Sequence, residues 1–529
     1  MNLLSISFLL FALGLCLAYF LVPARFRWWV LLAFSLAFYA LGGWLNLPFL
    51  LLTAASIWGA ALLIQKNADA QSAWLKAHKS ECSKEEKAAY KARERNRRKR
   101  ILVGALVLNF GILCAFKYVH FLLAQADAVA GWFGGSVHDT VQWIIPLGIS
   151  FYTFQSVGYL LDVFWDRCEA QRSFPKLLLF VCFFPQILQG PISSYSQLGP
   201  ELYRGHDFDF DELCRGLRRM LWGFFKKLVI ADALAPFVAA LFADYPTYAG
   251  LAAFVGIALY SIQLYADFSG YMDIVCGLCR VLGIPLRENF DRPFFAHSVA
   301  EYWRRWHMSL GDWFKAYVYY PIAVSGWAQR LGKRARAKLG KTAGGALPAT
   351  LALIVTWLAT GLWHGASWGY VVWGGLNGAF LILSVWMEPV FKGWTARLRL
   401  GDDKRSWQLF RILRTNLLLV FLRILPELGG LRDGLGLWAQ VFRSPTLPQG
   451  WESWFPGGAS PVQMLVVGFG FALMLAADGI KCRQPVQDWL DKRPLALRFA
   501  LYFVLLALIL IFGCYGPGYD ARDFMYFKF

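Results

Sequence analysis

GLWHGASWGYVVWGGLNG, residues 361–378, joins two apolar runs at 347–363 and 369–387, and it carries one histidine, His364, at the junction. Each run is close to the roughly 20 residues that an α-helix needs to cross the hydrocarbon core of a bilayer. An ionisable side chain at that depth is costly unless it has a partner or a function, so His364 is a candidate functional residue.

Composition extends this interpretation to the whole chain. Of 529 residues, 57% are hydrophobic, 17% are aromatic and only 16% are charged, which is not typical of a soluble protein. We predict an all-α polytopic membrane protein with about 11–12 spanning helices plus re-entrant segments, and a single integral membrane domain over residues 1–529. The predicted spans are 3–22, 28–45, 47–64, 101–123, 143–163, 228–242, 251–276, 347–363, 369–387, 416–425, 462–477 and 500–513.

The formal charge of +19 could suggest nucleic acid binding, but the basic residues lie mainly in polar stretches between apolar runs. This distribution follows the positive-inside rule, so we predict no nucleic acid partner and a cytoplasmic location for those stretches. The longest, residues 66–100, has 12 Lys or Arg against 5 Asp or Glu. We expect this basic cytoplasmic loop to set topology and to contact membrane lipids.

Two apolar segments contain residues that interrupt a spanning helix. Residues 177–198 are broken by Pro185, Gly190 and Pro191, and residues 300–322 contain the charged stretch EYWRRWH. Irregular backbone at membrane depth persists only where protein or a water-filled cavity supplies hydrogen-bond partners. We therefore predict two re-entrant segments that frame a cavity.

Two further ionisable residues stand out. His307 lies in WRRWHMSLGDWF, where the tryptophans and arginines are also typical of an interfacial belt of anchors. Asp267 lies inside an apolar run, where a carboxylate must protonate or find a partner, and Arg280 and Arg305 are candidate partners.

Other catalytic motifs are missing from the sequence. It has no P-loop or HExxH motif, and its ten cysteines are single except for Cys276 and Cys279, so we predict no metal site. Chemistry must then depend on histidine. A neutral imidazole can take the proton from a hydroxyl that attacks an activated acyl carbon.

Several ordered motifs resemble the membrane-bound O-acyltransferase family and, within it, membrane subunits of alginate O-acetylation. They are PLGISFYTFQSVGYLLDVF (146–164), FFPQILQGPI (183–192), GFFKKLVIADALA (223–235), YADFSGYMDI (265–274), ENFDRPF (288–294), WRRWHMSLGDWF (303–314), GLWHGASW (361–368) and the C-terminal DFMYFKF (523–529). They place a motif-bearing core at 146–378, followed by C-terminal helices at 379–529.

The resemblance implies a funnelled helical core in a bacterial cytoplasmic membrane, with His364 as the principal catalytic residue and His307 as the second. The supporting residues that it suggests are Trp363, Asp267, Asn289, Arg304, Arg305 and Asp312. It implies no bound cofactor, a cytoplasmic acyl donor that is acetyl-CoA or a carrier-protein thioester, an extracytoplasmic acetyltransferase partner and a polysaccharide acceptor. The sequence departs from relatives at Ala316, where an acidic residue is usual, and Asp312 is a possible substitute.

We therefore predict an O-acyltransferase that moves an acyl group, preferably acetyl, across the membrane for O-acetylation of an exported or cell-surface polysaccharide similar to alginate. Two alternatives stay open. One is D-alanyl transfer to teichoic acid from a carrier-protein thioester. The other, from a different class, is a polysaccharide or lipid transporter or a non-catalytic scaffold, which should tolerate the loss of His364.

Overall fold

The structure, a computed structural model, describes residues 3–141, 145–248, 250–401, 403–428, 431–443, 448–455 and 458–515. Within these ranges the regular structure is helical, and the strand-like contact is an isolated antiparallel bridge between Phe290 and Trp306. The predicted all-α fold is confirmed. Trp143, where one predicted span begins, and the DFMYFKF motif lie outside the described residues.

The helices are joined by turns and by longer loops such as residues 282–298. They are α1 (Ile6–Leu21), α2 (Arg27–Gly43), α3 (Leu47–Ala77), α4 (Lys84–Trp132), α5 (Ile149–Phe164), α6 (Phe174–Cys182), α7 (Phe184–Ile187), α8 (Tyr195–Arg204), α9 (Phe210–Phe225), α10 (Asp232–Ala243), α11 (Gly250–Val281), α12 (Val299–Arg305), α13 (Met308–Phe314), α14 (Tyr320–Ala323), α15 (Gly326–His364), α16 (Trp368–Trp386), α17 (Glu388–Arg397), α18 (Arg405–Arg423), α19 (Leu431–Arg443), α20 (Trp451–Trp454), α21 (Pro461–Lys481), α22 (Val486–Asp491) and α23 (Leu495–Phe512). Two π-helical turns, Lys226–Ala231 and Lys315–Tyr319, continue α9 into α10 and α13 into α14.

The described residues form two compact units. The first contains residues up to 213 together with 278–286, and the second contains 214–277 and the residues from 287 onward. In the first unit α3 packs against α4 and α5, and α2 packs against α6. In the second unit the most extensive helix pair is α15 with α16. The prediction of one integral membrane domain stays a prediction.

Seven helical segments in the described part of the chain are long and apolar enough to cross a membrane. They are Ala24–Ala77, which contains both α2 and α3, Lys84–Trp132, Gly250–Val281, Gly344–His364, Trp368–Trp386, Pro461–Lys481 and Leu495–Phe512. Other predicted spans fall on shorter helices, such as Ile6–Leu21 and Ile149–Phe164, so this criterion does not reach 11–12. The protein is a multi-pass membrane protein.

The predicted basic loop 66–100 is largely helical. It consists of the end of α3, a turn at 78–83 and the start of α4. Ser83 begins α4 with a capping box: its hydroxyl accepts a hydrogen bond from the Glu86 amide (3.1 Å), and the Glu86 carboxylate accepts one from the Ser83 amide (2.8 Å). Since 49 residues span about 73 Å as an α-helix, α4 is more than twice as long as the hydrocarbon core is thick. The basic residues at the end of α3 and the start of α4 therefore extend beyond the apolar parts of these two helices.

Both segments that were predicted to be interrupted are indeed broken. Residues 177–198 contain the end of α6, the single turn α7 and a non-helical stretch before α8. Residues 300–322 contain α12, α13 and a π-helical turn. The first break is supported by side-chain amides: Gln155 donates to the Phe180 carbonyl (2.7 Å), and Gln186 donates to the Ser193 hydroxyl (2.6 Å). The cavity between the two segments stays a prediction.

Candidate active site

His364 is the last residue of α15, and the structure gives its imidazole a defined orientation. Its Nδ1 lies 2.7 Å from the carbonyl oxygen of Thr360, one turn earlier. Because a carbonyl oxygen only accepts hydrogen bonds, Nδ1 carries the hydrogen. In a neutral imidazole the other nitrogen, Nε2, then holds the lone pair. The helix end thus selects the tautomer that leaves Nε2 as a proton acceptor.

Aromatic rings surround the His364 imidazole. Trp373 lies 4.9 Å away between ring centroids, Trp363 lies 5.0 Å away, and the Tyr370 ring is nearly parallel to the imidazole at 6.4 Å. Tyr370 and Trp373 are on α16, which packs closely on α15 because Gly374 has no Cβ that would overlap the α15 backbone. These rings leave the His364 side chain 6% exposed and restrict its motion.

His307 occupies the turn between α12 and α13. Its backbone has left-handed dihedral angles (φ 47°, ψ 50°), which a non-glycine residue adopts only when its surroundings hold it there. Backbone hydrogen bonds on both sides supply that constraint: the Asp291 amide donates to the Arg305 carbonyl (2.9 Å), and the Met308 amide donates to the Asn289 carbonyl (3.0 Å). We call residues 289–291 and 305–309 the His307 hairpin.

The Asn289 side chain holds the His307 hairpin from inside. Its Oδ1 accepts hydrogen bonds from the Ser309 amide (3.0 Å) and the Ser309 hydroxyl (2.8 Å). Its Nδ2 donates to the Met272 sulfur at 3.4 Å. Asn289 and Ser309 are each 1% exposed, so these polar atoms depend on one another.

The structure brings the two histidines together. Their ring centroids lie 6.5 Å apart and the ring planes are nearly perpendicular. Ring nitrogens lie just over 1 Å from a centroid, so no pair of nitrogens across the two rings is closer than about 4 Å, which is too far for a direct hydrogen bond. Burial lowers the pKa of the His307 imidazole well below its usual value, and the nearby His364 lowers this pKa further. His307 is therefore neutral at physiological pH.

The predicted supporting residues divide into two groups. Trp363 and Asn289 belong to the site, since the Trp363 ring lies 6.0 Å from the His307 ring. The others face elsewhere: Arg304 is exposed, Arg305 binds Glu301 (2.6 Å), and Asp312 binds Arg287 (2.5 Å) at the surface. Ala316 lies in the second π-helical turn, and whether Asp312 replaces its missing carboxylate stays untested.

Asp267 has a different cationic partner from those predicted. Its carboxylate accepts a hydrogen bond from Lys227 Nζ (2.6 Å), which also lies 2.9 Å from Asp232. Arg280 binds Glu212, and Arg305 binds Glu301. The predicted pairing with an arginine is wrong, because the π-helical turn brings Lys227 to Asp267 instead.

Sequence reasoning missed the residues that orient His364. Thr360, Tyr370 and Trp373 all contact its ring, and Asn377 accepts a hydrogen bond from the Trp303 indole (3.0 Å). The spacing of Tyr370 and Trp373, three residues apart on one helix face, was an available signal. In the described part of the chain, His, Cys, Asp and Glu side chains form no group of three or more that could hold a metal ion.

Comparisons with known proteins show the family to which the chain belongs. The model of the membrane-bound O-acyltransferase family matches residues 170–425, which include both histidines. The chain is 33% identical to a probable alginate O-acetylase, AlgI, of Azotobacter vinelandii over 72% of this chain and 67% of that protein. It is 32% identical to the peptidoglycan O-acetyltransferase of Helicobacter pylori, over 53% of this chain and 54% of that protein. It is 24% identical to the teichoic acid D-alanyltransferase of Streptococcus thermophilus, over 51% and 64% of the two chains. The chain belongs to the membrane-bound O-acyltransferase family and is an O-acyltransferase.

Proposed function

We propose that this O-acyltransferase takes an acetyl group from a cytoplasmic thioester, acetyl-CoA or an acetylated carrier protein, and delivers it across a bacterial cytoplasmic membrane for O-acetylation of an exported or cell-surface polysaccharide similar to alginate. The observation that carries the proposal is the buried His307–His364 pair, in which the Thr360 carbonyl leaves Nε2 of His364 as the proton acceptor. The similarity to a probable alginate O-acetylase over most of the chain supports the choice of acetyl group and acceptor.

The chemistry follows from this arrangement. Nε2 of His364 takes the proton as an acceptor hydroxyl attacks the thioester carbonyl carbon. The tetrahedral intermediate collapses, the C–S bond breaks, and the imidazolium returns the proton to the departing thiolate. Atoms and charge balance without a bound cofactor. His307, whose neutral ring lies 6.5 Å from that of His364, assists by hydrogen bonding to the reacting oxygen.

The acceptor at this step is a hydroxyl of an extracytoplasmic partner protein or of the polysaccharide itself. We propose that a separate extracytoplasmic acetyltransferase completes transfer to the sugar. Membrane lipids surround the exposed apolar faces of the spanning helices.

The test is the O-acetyl content of surface polysaccharide in cells that carry wild type, His364→Ala, His138→Ala or no copy, with membrane protein levels matched by blot. His138 is an exposed loop histidine and serves as the control. We expect His364→Ala to lose at least about 100-fold in acetylation rate, the lower end of a general-base contribution, and His138→Ala to match wild type. Wild-type acetylation by His364→Ala would refute the catalytic role of His364.

The same cells discriminate between substrates and classes. A polymer that loses D-alanyl esters instead of acetyl esters would favour D-alanyl transfer, for which the similarity to a teichoic acid D-alanyltransferase is the supporting observation. A transporter would keep its transport activity when His364 is replaced.

A further inference from the structure

One short stretch of α11 holds the His307 hairpin in place. The Phe268 ring packs edge-on against the His307 imidazole, with centroids 4.9 Å apart. One turn later, the Met272 sulfur accepts the hydrogen bond from Asn289. The position of residues 268–272 therefore determines where the His307 ring lies.

This stretch is bounded at each end by an aspartate that binds a buried lysine. Asp267, just before it, lies 2.6 Å from Lys227 Nζ. Asp273, just after it, lies 2.6 Å from Lys226 Nζ. The side chains of Lys226 and Lys227 are 5% and 1% exposed. We call these two ion pairs the lysine clamps.

Consecutive lysines can reach opposite ends of the stretch because of how the helices cross. A Cβ on Gly223 of α9 would overlap the Gly270 carbonyl of α11, so the two backbones touch at these glycines. Asp267 and Asp273 lie on either side of Gly270, about 9 Å apart along the helix axis. The π-helical turn at 226–231 follows α9 directly and contains both lysines.

The two clamps differ in what surrounds them. Asp273 also binds Arg219 Nε (2.9 Å), so it keeps a cation when Lys226 is lost. Lys227 lies between two buried carboxylates, Asp267 and Asp232. Removal of Lys227 takes away a cation that lies between two buried carboxylates, and breaking a buried ion pair by removing one partner is strongly destabilising.

We propose that Lys226 and Lys227 are positioning residues, which act through residues 268–272 to hold the His307 imidazole against His364. Lys227 makes the larger contribution. The proposal rests on the proposed function, since it gives a catalytic purpose to the position of His307.

The experiment measures the accessibility of His307 directly. Purified full-length protein in detergent is treated with diethyl pyrocarbonate, and the modification rate of each histidine is followed by mass spectrometry, with exposed His138 as internal reference. The variants are Lys227→Met, Lys226→Met and Lys227→Arg. The control is Lys392→Met, which removes an exposed lysine from its ion pair with Glu388.

We expect His307 in Lys227→Met to react at least about tenfold faster than in wild type, because local opening exposes a ring that is otherwise 2% exposed. Lys226→Met should give a smaller increase, and Lys392→Met none. Lys227→Arg keeps the charge and should stay within about threefold of wild type. The hydrogen bond from His364 Nδ1 to the Thr360 carbonyl is intact in these variants, so the labelling rate of His364 should change less than that of His307. This difference distinguishes a loss of His307 positioning from general unfolding.

Lys226→Met keeps the test decisive if Lys227→Met fails to accumulate, because Asp273 retains Arg219 in that variant and a smaller increase in His307 labelling is still expected. Unchanged His307 labelling in Lys227→Met, or in Lys226→Met where Lys227→Met does not accumulate, would overturn the proposal. Acetylation measured in cells separates the positioning role of the lysines from the proposed function. If His307 becomes reactive while polysaccharide acetylation stays at the wild-type level, the lysines position His307 as proposed and the catalytic role of His307 is refuted.

Discussion

Replacement of Asn289 by alanine is the most informative test of how the active site is held together. In the wild-type protein the Asn289 Oδ1 atom accepts two hydrogen bonds from Ser309, one from the backbone amide at 3.0 Å and one from the hydroxyl at 2.8 Å. Both residues are 1% exposed, so water does not readily replace the lost acceptor. A buried donor left unsatisfied costs about 1–3 kcal/mol, which places the cost of the two donors at about 2–6 kcal/mol.

The assay is amide hydrogen exchange of peptides that cover residues 305–314 in the purified protein. A local cost of about 3 kcal/mol raises the opening constant by about 100-fold, since each 1.4 kcal/mol is a factor of ten. Ser309→Ala is the matched control. It removes the hydroxyl donor but keeps the hydrogen bond from the backbone amide of residue 309 to Asn289 Oδ1, so its effect should be about tenfold or less. We also expect Asn289→Ala to reduce acetylation, because the His307 hairpin loosens.

If Asn289→Ala exchanges within about threefold of wild type over 305–314, the two hydrogen bonds do not hold the hairpin. If exchange rises as expected but acetylation is unchanged, the hairpin is held as described and the position of His307 does not matter for activity.

Two further predictions concern the packing around the site and its dependence on pH. Gly374→Ala should prevent accumulation of folded protein, because its Cβ would overlap the α15 backbone, while Gly375→Ala, where there is room, should accumulate normally on a membrane blot. Burial raises the pKa of Glu301, but the His297 amide and the Arg305 guanidinium outweigh it and hold this pKa below 4.5. A lowered carboxyl pKa favours the folded state above the unfolded value, so the thermal midpoint should fall as pH drops below about 4.5. Glu301→Gln should flatten that fall, and an identical slope in both proteins would contradict the assignment.

Several features of the site were accessible from the residues alone. His364 and His307 stand out as ionisable groups in apolar segments, and the family motifs add Asn289. The same rule applied to the lysines of GFFKKLVIADALA identifies Lys226 and Lys227. The helical form of 66–100 was also within reach, since Ser83 and Glu86 have the spacing of a capping box.

Other features depend on contacts between residues far apart in the chain. The partner of Asp267 is 40 residues away and reaches it only because a π-helical turn and two facing glycines bring α9 close to α11. Arg305 and Asp312 resembled site residues by their place in a motif, yet helix direction turns them toward Glu301 and Arg287. Motif membership does not tell which way a side chain faces.

The sequence by itself determined the class of the protein, because hydrophobic content and run length limit a chain of this kind to spanning helices whose backbone groups are satisfied internally. The fold alone shows that His307 and His364 lie 6.5 Å apart and that Nε2 of His364 holds the lone pair. The physical reason is that a tautomer and a distance between two rings are set by hydrogen bonds and packing among residues that the order of the chain does not place side by side.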